Sequence, residues 1–190
     1  YKRQEHLRQA GWDGEQPVLA LCPINPFWWP VRADLGKRIN QFVTGQHTKE
    51  HYKSVYYHHG GDQVDAAQTR YLRSIANATK RLQAERDVFV ILVGMEQLDR
   101  RACEALNTML DKAAPLFISD EHDMYTMVSI IRNASAMVSS RYHGIVTSMP
   151  AGVVSAGITM DERIRNLMID RGTPELSLEV DDPELEDKLL

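Results

Sequence analysis

No stretch of this 190-residue chain approaches the roughly 18–20 consecutive apolar residues that a membrane-spanning helix requires. No signal peptide is legible either, so a cytoplasmic protein without a transmembrane segment is expected. Neither sign of charge dominates: 22 Lys and Arg stand against 26 Asp and Glu, a formal net charge of −4. That balance argues against a protein that reads nucleic acid through a broad basic surface, while leaving room for a local basic pocket. Cysteine is scarce. Cys22 and Cys103 both lie in apolar-patterned segments, so buried free thiols in a reducing compartment are expected rather than a disulfide. Repeats and low-complexity tracts are missing. Position 1 is Tyr rather than Met, so the chain is expected to be a fragment or a processed form.

What is present is ordinary globular material: 43% hydrophobic and 25% charged residues, and enough length for one domain with a core. Residues 1–16 are polar with a short helical pattern and read as a lead-in helix or an interdomain linker. From 17 to 180, apolar strand-like runs alternate with helical patterns. Val18–Cys22 is a continuous apolar run bounded by prolines, which suits a strand buried on both faces. Residues 88–93 form the clearest strand, β-branched and wholly apolar. Shorter strands are expected at 115–118, 136–139, 153–156 and 176–178. Helical patterns fall at 35–43, 64–85, 98–113, 124–133, from about 145 to 149, and at 162–170. Ser119 or Asp120 is expected to cap the helix at Met124, and Asp181 or Asp182 with Pro183 to open a last helix within 181–190. The alternation predicts βαβ units and an α/β fold: a Rossmann-like parallel sheet, with right-handed crossovers and helices on both faces.

Three segments carry residues that point to chemistry. The first strand runs into Pro23-Ile24-Asn25-Pro26-Phe27-Trp28-Trp29-Pro30, where the prolines forbid regular structure. Open α/β sheets bind ligands just past the C-terminal ends of their strands, so Trp28 and Trp29 are candidates to stack on a sugar. The alternative is that they pack the loop onto the domain or dock a further domain. His47-Thr-Lys-Glu50-His51 matches an inverted zinc-protease motif, H-x-x-E-H, yet no further acidic ligand follows at a helical offset. A solvated or substrate-gating segment is the better reading there, and adjacent His58 and His59 do not give a metal geometry. No metal and no cofactor is therefore expected. Lys37 and Arg38 lie on the 35–43 helix, either facing an anion or solvated, and Arg132 reads as a surface charge.

The third segment organises the rest. Ser140-Arg141-Tyr142-His143-Gly144 sits where the apolar strand 136–139 gives way to a helix. A strand-to-helix turn leaves backbone N–H groups and the positive end of a helix dipole where an anion would bind. Arg141 adds a bidentate anion clamp and His143 a proton donor. Arg163 is a further candidate for phosphate, or else pairs with Asp161 or Glu162. Asp161 reads as an N-cap rather than a base.

From residue 18 to 172 the chain resembles the polysaccharide pyruvyl transferase family in its C-terminal domain. The likeness rests on Arg141-Tyr-His143-Gly144 and the small-residue helix after it, then Gly152, Gly157-Ile158, Asp161, Arg163 and Leu167. The family pattern places a proline after its glycine, just before the next strand. Here Val154 stands there and Pro150 comes earlier, so the helix after the turn is expected to end sooner. The resemblance implies a fold like one half of the two-domain GT-B glycosyltransferases, with the site in the cleft between domains. It implies transfer of a pyruvyl group from phosphoenolpyruvate to a sugar, free or lipid-linked, in cell-surface glycan or exopolysaccharide synthesis. His143 would then be the acid, Arg141 and Arg163 would hold carboxylate or phosphate, and the N–H groups of Gly144 and Ile145 would receive the other anionic group. Two other functions stay open: a GT-B-like nucleotide-sugar glycosyltransferase or epimerase domain, and a non-catalytic binding module of the same fold.

Overall fold

The computed structural model describes residues 4–28, 31–45, 56–58, 60–159 and 162–190. Ahead of the first strand, α1 (Glu5–Gln9) lays Leu7, fully buried, on the domain, and Trp12 follows it into the same apolar cluster. All five residues of β1 (Val18–Cys22) are buried. The short strands β2 (Arg32–Ala33) and β3 (Tyr56–Tyr57) pair antiparallel, and α2 (Leu35–Thr44) lies between them in sequence. Then follow α3 (Asp62–Glu85), β4 (Phe89–Gly94), α4 (Arg100–Asn107), β5 (Leu116–Ile118), α5 (Met124–Ile131) and β6 (Ala136–Ser139). The chain ends with α6 (Tyr142–Ser148), β7 (Val154–Thr159), α7 (Glu162–Asp170), β8 (Ser177–Glu179) and α8 (Leu185–Lys188).

Six strands form one sheet in the order β5-β4-β1-β6-β7-β8, and every neighbouring pair is parallel. Counted along the chain, these strands lie in the order 3-2-1-4-5-6 of a doubly wound Rossmann-like sheet, and the winding reverses between β1 and β6. Alternation along β1 separates two cores. Leu19 and Leu21 face Leu72 and Ile75 of α3, Leu106 of α4 and Leu185 of α8. Val18, Ala20 and Cys22 face the opposite layer, with Leu7, Met127 and Ile130. A strand central to a parallel sheet is covered on both faces, which is why β1 is apolar without interruption. Both cysteines are free and buried.

Several element ends differ from the sequence expectation. The 98–113 helix is a 3-10 turn, Gln97–Asp99, followed by α4, which stops at Asn107. There the Asn107 side chain bonds both the N–H and the C=O of Ala114 and folds the chain back. The cap of α5 is Asp123 rather than Ser119 or Asp120: its carboxylate accepts the Thr126 N–H at 2.7 Å. α6 starts at Tyr142, three residues early, and gives way at Met149–Ala151 to a 3-10 turn that contains Pro150. α8 starts at Leu185, beyond Pro183, because Asp182 turns the chain first by accepting the Glu184 N–H. Arg132 is half-buried, and its Nε donates to the Thr147 carbonyl, tying the end of α5 to α6.

Candidate functional site

The reversal of winding puts the ends of β1 and β6 side by side, where open α/β sheets carry their ligand crevice. Cys22 pairs in register with Ser139, and Ser139 with Gly157, so three small residues form a row across this edge. The first turn of α6 rests on that row. A Cβ at Gly144 would lie 3.0 Å from Ser139 Oγ and 3.6 Å from Cys22 Sγ. Ser139 Oγ donates to the Arg141 carbonyl at 2.9 Å and accepts the Arg141 N–H at 3.0 Å. The same carbonyl accepts the N–H groups of Gly144 at 3.1 Å and Ile145 at 3.4 Å. These two donors are engaged within the turn and are not presented to an anion, in contrast to the role expected of Gly144 and Ile145.

Arg141 is also held from outside the turn. Its Nε and Nη2 both donate to Asp99, and Nη1 and Nη2 reach Glu96 at 3.2 and 3.3 Å. The two acids stand just past β4 in a capping box, with the Glu96 N–H donating to Asp99 Oδ2 at 3.0 Å. The Asp99 side chain is 1% exposed and that of Arg141 14%. Burial pushes the Asp99 carboxyl above its ordinary range, and the Arg141 guanidinium opposes that shift. Arg141 thus anchors the turn to the loop after β4 and arrives with its charge already matched by carboxylates. The neighbouring Cys22 thiol is pushed up to about 12, chiefly by burial, so it stays protonated and is no nucleophile.

Beneath the β1 exit, Asn25 is 3% exposed; its Nδ2 donates to Gln68 Oε1 at 2.7 Å and its Oδ1 accepts the Phe27 N–H. Tyr71 of α3 shares a 2.5 Å hydrogen bond with Ser140 Oγ, joining α3 to the residue before Arg141. Burial raises the Tyr71 hydroxyl pKa, so that group remains neutral. The loop after β1 has no glycine between Cys22 and Phe27, so the Gly-rich pyrophosphate turn of dinucleotide-binding sheets is missing from the place it would occupy.

His143 is exposed at the start of α6, its ring edge-on to Tyr142 at 5.7 Å. It lines a groove of about 350 Å³ together with Tyr142 and, from α7, Arg163, Asn166, Leu167 and Asp170. Two of the residues singled out in the sequence, His143 and Arg163, are therefore brought together. Ile145, Ile164 and Met168 form the apolar floor that sets α6 against α7, and Gly157 of β7 gives that floor its room. Trp28 lies elsewhere. It closes the 3-10 turn Pro26–Trp28 and stacks on His58 with ring centroids 4.9 Å apart. Trp29, Asp161, His59 and the H-x-x-E-H segment lie outside the described residues.

A second cleft, of about 380 Å³, runs between α3 and the connection from β8 to α8. Arg70, Arg73 and Asn77 line it from successive turns of α3, Asp181 lies on the facing segment, and Phe27 and Tyr71 close one side. Sequence reading missed Glu96, Asp99, Tyr71 and this cleft. Glu96 and Asp99 are separated from Arg141 by 45 and 42 positions, so only the fold joins them.

Among the described residues, no group of three or more His, Cys, Asp or Glu is placed to hold a metal ion. No helix among them is long and apolar enough to cross a membrane. The fold and site define a doubly wound α/β domain with a polar groove between α6 and α7. No family model, curated protein or solved structure matches the chain.

Proposed function

We propose that this chain is one domain of a transferase of the polysaccharide pyruvyl transferase type, moving a pyruvyl group from phosphoenolpyruvate to a sugar of a cell-surface glycan. The observation that carries this reading is the groove that His143 and Arg163 share between α6 and α7. Phosphoenolpyruvate has a carboxylate and a phosphate on one small skeleton, so its site needs a cation beside a proton donor. Arg163 supplies the cation. His143 delivers a proton to the methylene carbon, which leaves an oxocarbenium-like centre at the neighbouring carbon. A sugar hydroxyl adds there and loses its proton. Phosphate then departs, and a second hydroxyl closes the cyclic ketal. Arg141 serves by positioning: held on Asp99 and Glu96, it fixes the backbone from which His143 projects. The donor sets a cytoplasmic reaction, and the acceptor enters against a second wall supplied by a further domain, as in a GT-B pair.

The cleft lined by Arg70, Arg73 and Asp181 favours a second reading, a nucleotide-sugar domain. There the arginines would hold a diphosphate and the acid a hydroxyl pair. Thermal-shift titrations with phosphoenolpyruvate and with nucleoside diphosphates separate the two. Saturable stabilisation by phosphoenolpyruvate, lost in Arg163→Ala and kept in Arg70→Ala, supports transfer of pyruvate. Stabilisation by the nucleotide alone, lost in Arg70→Ala, establishes the second reading in its place.

A further inference from the structure

α2 is a well-made helix that faces the wrong way for a protein surrounded only by water. The Asp34 carboxylate caps its start by accepting the Lys37 N–H at 2.8 Å, and Gly45 ends it in the left-handed conformation at φ 66°. Between the caps, Leu35, Ile39, Phe42 and Val43 recur at the spacing of a single helical stripe. Those four side chains are 67%, 63%, 76% and 76% exposed, and none of the ten residues of α2 is buried. The polar side is the one attached to the domain. Gln41 Oε1 accepts the Tyr57 hydroxyl at 2.8 Å, and Lys37 Nζ sits 4.7 Å over the Tyr57 ring. Val31, 37% exposed, adds to the apolar surface beside the helix start.

Charge indicates what covers the stripe. Residues 31–45 carry Arg32, Lys37 and Arg38 against the single acid Asp34, in a chain whose formal net charge is −4. Arg32 and Lys37 are exposed. An apolar stripe flanked by cations on an otherwise acidic protein complements a surface that offers both hydrocarbon and negative charge. A second copy of this chain would set like-charged segments against each other. We propose that α2 is an interfacial helix that docks the domain on the anionic surface of a lipid bilayer, with Leu35, Ile39, Phe42 and Val43 entering the acyl boundary. The proposal does not rest on pyruvyl transfer, because its readout is lipid binding alone.

The test is co-sedimentation with vesicles of phosphatidylcholine, with and without phosphatidylglycerol. The chain is expected to sediment with the anionic vesicles, to release as salt is raised, and to bind pure phosphatidylcholine weakly. Phe42→Glu and, separately, Val43→Glu should each weaken partitioning by roughly tenfold or more. Both side chains are mostly in solvent, so the thermal midpoint and circular dichroism of these variants should match the wild type. Arg32→Glu should lower binding to anionic vesicles and leave binding to neutral ones unchanged. Failure to bind anionic vesicles overturns the proposal, as does binding that survives both glutamate variants. A concentration-dependent dimer abolished by Phe42→Glu, with no vesicle binding, would assign the stripe to a second copy instead.

Discussion

Asp99 receives both Nε and Nη2 of Arg141 from 42 positions away, and the carboxylate that does so is 1% exposed. The strongest cation of the β6–α6 turn is thereby a structural tie between neighbouring strand ends, and the groove chemistry falls to His143 and Arg163.

Removing one partner of a buried ion pair leaves the other uncompensated, at a cost of roughly 3–5 kcal/mol. Arg141→Ala is therefore expected to destabilise the domain by about that amount at neutral pH, measured by urea unfolding. Burial already raises the Asp99 carboxyl, and loss of the guanidinium raises it further. Folding of the variant then takes up a proton, so its deficit should shrink as the pH falls toward the raised value. A double variant, Arg141→Met with Asp99→Leu, should recover most of the loss. A deficit that is independent of pH would remove Asp99 as its source.

Tyr71 and Ser140 form the second tie, from α3 to the same turn. Both residues are buried, at 2% and 4% exposure, so either partner alone is left unsatisfied. Tyr71→Phe and Ser140→Ala should each cost about 1–3 kcal/mol, and together clearly less than their sum. Additive losses in the double-mutant cycle would show that the hydroxyls contribute independently.

The floor of the groove leaves no spare volume. A methyl at Gly157 would overlap Ile164 Cγ2 and come within 3.0 Å of Met168 Cε, pressing α7 off the sheet. Gly157→Ala is expected to cost about 1–3 kcal/mol. At Gly144 the added methyl is crowded by Ser139 Oγ alone, at 3.0 Å, with Cys22 Sγ at an ordinary contact distance of 3.6 Å, and alanine favours the helix, so the loss there should be smaller. Equal losses at the two positions would contradict the packing described for α7.

The parallel sheet was legible because its strands are local signals: the apolar runs around β1 and β4 need no partner to be recognised. The strand-to-helix turn after β6 was legible, since its sequence marks its own position; the reversal of winding beside it was not. What the residues around it do was not. Arg141 reads as an anion clamp until the loop after β4 is brought beside it, and nothing in the sequence marks Glu96 and Asp99 as its partners. Trp28 reads either as a sugar platform or as an anchor for its loop, and only the fold shows that His58 stacks on it. Helix ends failed where a side chain closed a turn, as Asn107 does with Ala114. Periodicity carries no information about such bonds.

α5 begins on Asp123, whose carboxylate accepts the Thr126 N–H, and that bond holds its pKa below the ordinary 3.8. A carboxyl lowered by folding contributes stability that is complete above its unfolded pKa and fades as the pH drops through the folded value. The cap should therefore act fully at neutral pH and fail below about pH 4. Asp123→Asn keeps an acceptor that takes up no proton there, so its thermal midpoint should fall less steeply with acid than that of the wild type. Asp123→Ala lacks the cap at every pH. Its midpoint should lie a few degrees below wild type at neutral pH and converge with it in acid. Melts followed by circular dichroism across an acid series check both curves, and an Asn variant that tracks the wild type throughout would show that the acid sensitivity arises at other carboxylates.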